Sequence, residues 1–134
     1  KVEGFPLHRH TVFFSDDYRA EFEAIFQQST MPRSPTTYIC AQDRNDVDPA
    51  PTDRARLFFL INAPANGDTH IYSPAEIEQC AETMQTLLAR CGLTLSAPSD
   101  AQQVTTPTDF NHLFPATGGA LYGQASHGWG SFFA

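Results

Sequence analysis

Apolar residues in this chain fall into alternating strand-like and helix-like periods, and their order predicts an α+β fold. Residues 9–14 form a β-prone run. Ser15-Asp16-Asp17 then supplies a helix N-cap and early acidic residues, and Tyr18, Phe22, Ile25 and Phe26 share one face of the helix that follows. Met31-Pro32-Arg33-Ser34-Pro35 stops that helix. In residues 36–41, Thr37, Ile39 and Ala41 alternate against Tyr38 and Cys40, the two-residue period of a strand. A polar loop, 42–55, leads to residues 56–63, which are apolar at every position from Leu57 to Ile61. Such a run predicts a strand covered on both faces or central in a sheet, paired antiparallel with the strand before the loop.

Ser73-Pro74-Ala75-Glu76 is a capping box with proline at the first helical position, and Ile77, Cys80, Met84, Leu87, Leu88 and Cys91 follow at helical spacing up to Gly92. Residues 102–106 read as a short fourth strand that feeds a single helical turn toward Phe114. The order β-α-β-β-α-β predicts the split-βαβ arrangement of a ferredoxin-like sandwich over residues 1–110, followed by a glycine- and aromatic-rich extension over 111–134.

Composition narrows the function classes. A chain of 134 residues with 41% hydrophobic and 17% charged residues is long enough for one buried core. Fifteen acidic against eight basic residues give a net charge of -7, and no Lys/Arg cluster is present, so a nucleic-acid partner is excluded on electrostatic grounds. The run from Leu57 to Ile61 is far short of the ~20 residues that a membrane-spanning helix needs. Cys80 and Cys91 would lie roughly 16 Å apart along one helix, too far to bridge, so reduced thiols and a cytoplasmic setting are expected. Cys40, in a strand pattern, is expected as a small core residue. The first residues, Lys1-Val2-Glu3-Gly4-Phe5-Pro6, show neither an initiating methionine nor a signal-peptide pattern, which reads as a trimmed chain or a piece of a longer one.

Few motifs carry chemistry. His8 and His10 would share one face of a strand at metal-ligand spacing, but no third ligand is near in sequence, so they read as solvated or ligand-lining residues and no metal is assigned. Asp43, Asn45, Asp46, Asp48 and Asp53 miss the calcium-loop spacing, because Val47 occupies a ligand position and no turn glycine follows. Gln124 stands where a nucleophile elbow around Ser126 needs glycine, so Ser126-His127 is no hydrolase signature. Asn62-Ala63-Pro64-Ala65-Asn66-Gly67-Asp68 reads as a plain turn. Gly118, Gly119 and Gly123 do not form a dinucleotide fingerprint. Interleaved with Tyr122, His127 and Trp129, however, they combine backbone that approaches flat surfaces with planar rings. That suits either the wall of a ligand cavity or a turn packed by ordinary core aromatics.

Taken together, the stretch from His10 to Phe22, then Tyr38-Ile39-Cys40-Ala41-Gln42-Asp43-Arg44, then residues 62–68 and the long segment 106–129 resemble the bacterial carotenoid desaturases. These are FAD-dependent oxidoreductases of the phytoene desaturase family, and the resemblance is nearest to the branch that dehydrogenates hydroxy- or methoxyneurosporene. It implies the central, substrate-domain part of an enzyme that removes two hydrogens from a linear C40 polyene, with FAD accepting the electrons. The family's N-terminal G-x-G-x-x-G and its C-terminal flavin segment do not occur in this sequence. The resemblance therefore implies a chain inactive by itself that binds no stoichiometric FAD. It also places Gly118, Gly119 and Gly123 toward the cofactor, and Tyr122, His127 and Trp129 toward substrate or flavin, while transferring no catalytic residue. A carotenoid partner, peripheral membrane association of the parent at the inner face, and self-association through an exposed cut surface follow from the same reading. The rival reading is a free-standing ferredoxin-like module that dimerises or binds a small apolar ligand without catalysis.

Overall fold

A computed structural model describes residues 1–45, 55–97 and 101–121. It is an α+β fold in which one helix covers one face of a small antiparallel sheet. The elements are β1 (Val2–Glu3), β2 (His10–Phe13), α1 (Tyr18–Glu23) continued by a π-helical turn (Ala24–Gln28), β3 (Thr37–Ala41), β4 (Leu57–Ile61), α2 (Pro74–Arg90), β5 (Thr94–Leu95) and α3 (Pro107–Leu113).

Strands β2, β3 and β4 form a three-stranded antiparallel sheet in that order, with Phe13 opposite Thr37 and Thr37 opposite Ile61. The period-two reading of β3 holds: Thr37, Ile39 and Ala41 are buried, whereas Tyr38 and Cys40 are half-buried. Ile39 and Phe13 meet Leu7, Leu87, Leu88 and Leu93 in the core, and Leu57, Phe59 and Met84 pack against it. The apolar stripe of α2 thus seals the Ile39 face of the sheet.

Two expectations are corrected. In a split βαβ unit the strands flanking the first helix run parallel with a third strand between them; here β2 and β3 pair directly and antiparallel. The local cause is a clamp at the ends of the helical excursion. Ser29 takes a left-handed conformation (φ 54°) and ends the π turn, and the Ser15 N–H donates to Thr36 Oγ1 at 3.1 Å, which draws the returning chain beside the strand it left. Residues 102–106, read as a fourth strand, pair with none of the described strands. Val104 is the apolar residue there and is exposed, so the segment has no face to bury. The other described pairing is short: β5 pairs with β1, Val2 opposite Leu95, an interaction without a sequence signal beyond two or three residues.

Helix punctuation was legible. Ser73 accepts from the Glu76 N–H, and the Glu76 carboxylate accepts from the Ser73 N–H at 2.8 Å and from its hydroxyl at 2.7 Å. At the other end Leu93 N donates to Leu88 O and Gly92 N to Ala89 O, both at 2.9 Å, a Schellman closure with Gly92 at φ 86°. Thr106 and Asp109 build a second capping box, so α3 is a seven-residue helix that runs across residues 110 and 111. Hydrogen bonds from the Ser73 backbone and side chain, then from His70, hold the Glu76 carboxyl down at about 2. The folded-state value lies below the ordinary 4.5, so the support that Glu76 gives α2 is complete above about 4.5 and is lost as pH falls toward 2. Carboxyl carbon NMR should follow Glu76 titrating near 2, and Ser73→Ala should move it back toward the ordinary range.

Candidate functional site

The uncovered face of the sheet is the first candidate. The register places His10 beside Cys40 and Cys40 beside Phe58, and Val12 beside Tyr38 and Tyr38 beside Leu60. These six side chains point away from the Ile39 face, because neighbours along a strand alternate. Val12 is 45% and Phe58 49% exposed, and Tyr38, Cys40 and Leu60 are half-buried. Five consecutive apolar positions in β4 do signal two apolar faces; within the described residues the second lacks a cover, and β4 is an edge strand. Cys40, expected in the core, belongs to this open face.

A row of rings adjoins β2 in sequence. Phe14 contacts Tyr18 edge-on with centroids 6.1 Å apart, Tyr18 contacts Phe22 at 4.7 Å, and Phe22 stacks on Phe26 at 5.6 Å. The four-residue spacing brings the rings together on one helical stripe. Phe14, Tyr18 and Phe26 are nonetheless exposed, so the aromatic face of α1 is turned outward rather than into the core. Exposed rings in such a cluster mark a surface built to contact something apolar.

The second candidate is the turn 62–68, which is a junction rather than a plain turn. Asn62 donates to Glu21 Oε1 at 3.0 Å; Asn66 donates to Ser29 O at 3.0 Å and accepts from the Tyr72 hydroxyl at 2.8 Å; Gly67 N donates to Gly118 O at 2.8 Å. The start of α2, the end of the π turn and the glycine segment are thereby tied to one loop. Thr108 adds a bond to His70 O at 2.8 Å, and Asn111 Oδ1 accepts from Gly118 N at 3.1 Å.

Here the structure shows why glycine is needed. A Cβ on Gly67 would come 2.2 Å from Pro107 O, one on Gly118 2.3 Å from Ala65 O, and one on Gly119 2.2 Å from Pro107 O. The room these glycines leave is filled by the chain's own backbone. The space beside the α-carbons of Gly118 and Gly119 is therefore no cradle for a ligand. Tyr122, Gly123, His127 and Trp129 lie outside the described residues, as do Asp46, Asp48 and Asp53.

Glu21 gave no signal in the sequence, where it reads as one more polar helix residue. It is 2% exposed and accepts from Thr36 N at 3.1 Å, Thr36 Oγ1 at 2.6 Å and Asn62 Nδ2. It joins α1 to the start of β3 and the end of β4. An open cavity of about 630 Å³ runs beside it between α1 and residues 30–34. Asp43 closes the neck of the 42–55 loop through Arg56, whose side chain donates to Oδ1 at 2.6 and 2.9 Å and whose N–H donates to Oδ2 at 2.7 Å. Those bonds hold the Asp43 carboxyl below its usual range. Burial pushes the Cys80 thiol up, which suits an inert packing residue. His8 is exposed, whereas His10 bonds to Tyr38, and among the described residues no three His, Cys, Asp or Glu side chains converge on a metal geometry. No described helix is long and apolar enough to cross a membrane.

No protein-family model matches the chain. Individual curated proteins do. The chain is 47% identical over 133 residues, 99% of its length, to a hydroxyneurosporene desaturase of Rubrivivax gelatinosus. It is 31% identical over 127 residues, 93% of its length, to a 1-hydroxycarotenoid 3,4-desaturase of a Flavobacterium species. It is also 31% identical over 123 residues, 89% of its length, to a phytoene desaturase of Neurospora crassa. It covers 25%, 26% and 21% of those proteins, respectively. Over almost its whole length the chain is thus similar to carotenoid desaturases, of which it matches about a quarter.

Proposed function

We propose that this chain is the substrate-domain portion of an FAD-dependent carotenoid desaturase, and that its open sheet face forms one wall of the channel for a linear C40 carotenoid of the hydroxy- or methoxyneurosporene kind. The observation that carries this reading is the uncovered row of Val12, Tyr38, Phe58 and Leu60, in a chain 47% identical to a hydroxyneurosporene desaturase. An apolar wall binds a polyene by removing hydrocarbon from water, and a flat sheet surface holds an extended chain straight. The chemistry asks little more of these residues: when bound to the complete enzyme, FAD takes the two electrons as two hydrogens leave one C–C bond and a conjugated double bond forms.

Most of the flavin site is assigned to parts of the enzyme outside this chain. Gly118, Gly119 and Gly123 are assigned to the cofactor side, and Tyr122, His127 and Trp129 to the substrate or flavin face. Residues 111–134 are assigned as the extension that joins this α+β core to the cofactor-binding remainder. A C40 hydrocarbon resides in bilayers, so the parent enzyme is placed in the cytoplasm at the inner face of the membrane, where it collects its substrate by peripheral contact. The same apolar face drives self-association when the chain is isolated.

Phe58→Asp tests the wall. In the complete desaturase polypeptide carrying this segment, it is expected to lower kcat/KM for the carotenoid at least tenfold while the flavin absorbance and far-UV dichroism are kept. In the isolated chain it should reduce association in sedimentation velocity. Unchanged turnover with Asp at this position would remove the sheet face from the substrate path.

A further inference from the structure

The open face carries one built polar feature. His10 Nδ1 lies 2.6 Å from the Tyr38 hydroxyl, and the two rings stack with centroids 6.0 Å apart and planes 14° apart. The register sets His10 level with Cys40 and Phe58, and Tyr38 level with Val12 and Leu60, so the pair is embedded in the apolar wall. Tyr38 is half-buried and His10 is exposed. When the Tyr38 hydroxyl donates to Nδ1, the imidazole proton resides on Nε2 and makes that atom a donor. The phenol also holds the ring's orientation.

We propose that His10, positioned by Tyr38, recognises the oxygen of a polar end group on an otherwise hydrocarbon substrate. The proposal rests on the reading of the sheet face as a polyene wall. An apolar surface with one oriented N–H suits an elongated hydrocarbon bearing a single terminal hydroxyl or ether, since both groups accept a hydrogen bond and neither adds charge. A carotenoid lacking the oxygen would cover the imidazole without satisfying it, and a site built to hydrogen-bond a group discriminates against analogues that lack it. His10 is thus a specificity-determining residue and Tyr38 a positioning residue.

The test compares a linear carotenoid carrying a terminal hydroxyl with the same carotenoid lacking it, as substrates of the complete desaturase polypeptide that carries this segment. The unsubstituted polypeptide should prefer the hydroxylated substrate. His10→Phe, which keeps a ring to stack, should lower the ratio of the two kcat/KM values about tenfold, through the KM of the hydroxylated substrate. Tyr38→Phe should lower the ratio less, because the imidazole remains but loses its orientation. His10→Gln, which restores an N–H donor, should recover part of the preference. An unchanged ratio in His10→Phe, or an equal loss on both substrates, overturns the assignment of His10 and leaves the wall standing. If the unsubstituted polypeptide turns over neither carotenoid, the wall reading falls and takes this proposal with it.

Discussion

Glu21→Ala is expected to remove about 3 kcal/mol of stability, since each buried donor left unsatisfied costs about 1–3 kcal/mol and a whole domain holds only about 5–15. The carboxylate receives the Thr36 N–H, the Thr36 hydroxyl and the Asn62 amide, and Glu21 is 2% exposed, so these donors lose their acceptor together. Glu21→Gln should be milder. Its Oε1 keeps the bonds from Thr36 N and Asn62, and only the contact with Thr36 Oγ1 changes sign from acceptor to donor. Thr36→Val should fall between them, because the hydroxyl also accepts from Ser15 N. Urea denaturation of the four proteins checks the order, and a midpoint for Glu21→Ala within error of the unsubstituted chain would show that this junction does not stabilise the fold. The junction closes the β2–α1–β3 excursion, so its loss should also loosen the edge of the open sheet face.

The second large effect is steric. Gly67→Ala puts a methyl 2.2 Å from Pro107 O, 2.3 Å from Pro107 C and 2.6 Å from Thr108 N, all backbone at the start of α3, where no side chain can rotate away. Gly119→Ala meets the same carbonyl at 2.2 Å and adds the strain of φ 85°. Overpacking of this kind costs about 1–3 kcal/mol or more, and a left-handed backbone about 1–2 kcal/mol for a residue with Cβ. Gly92 is the control: its φ is 86°, but nothing lies within 4 Å of a Cβ placed there, so Gly92→Ala pays the backbone strain alone. Hydrogen exchange should show α3 and residues 117–119 losing protection in Gly67→Ala and Gly119→Ala, and not in Gly92→Ala. Equal protection in all three would mean that α3 does not depend on the glycine interlock.

Much of the organisation was written in local sequence. The capping box at Ser73, the stop at Gly92, the alternation of β3 and its antiparallel pairing with β4 depend on neighbours within a few residues, or on periods that a reader can count; the equally local box at Thr106 was masked by reading 102–106 as a strand. Similarity to carotenoid desaturases was legible for the same reason: matching stretches recur in order along almost the whole chain. What escaped were features made by residues far apart. Glu21 becomes buried only when Thr36 and Asn62 close over it, and a glutamate on an amphipathic helix otherwise reads as solvated. The turn 62–68 becomes a junction only when Gly118 and Pro107 arrive from 40 or more residues away.

The sequence by itself determined where helices start and stop, which positions of the sheet are apolar, and the similarity to carotenoid desaturases. Those depend on backbone caps, side-chain periodicity and composition, all local properties. The tertiary structure decided which apolar face is sealed and which is left open. α2 has one apolar stripe and can cover only one side of the sheet, and the aromatic row of α1 turns outward because Glu21, on another side of that helix, is the residue held inside. It also decided that three glycines serve backbone contact within the chain, since only folded coordinates show a carbonyl standing where a Cβ would be.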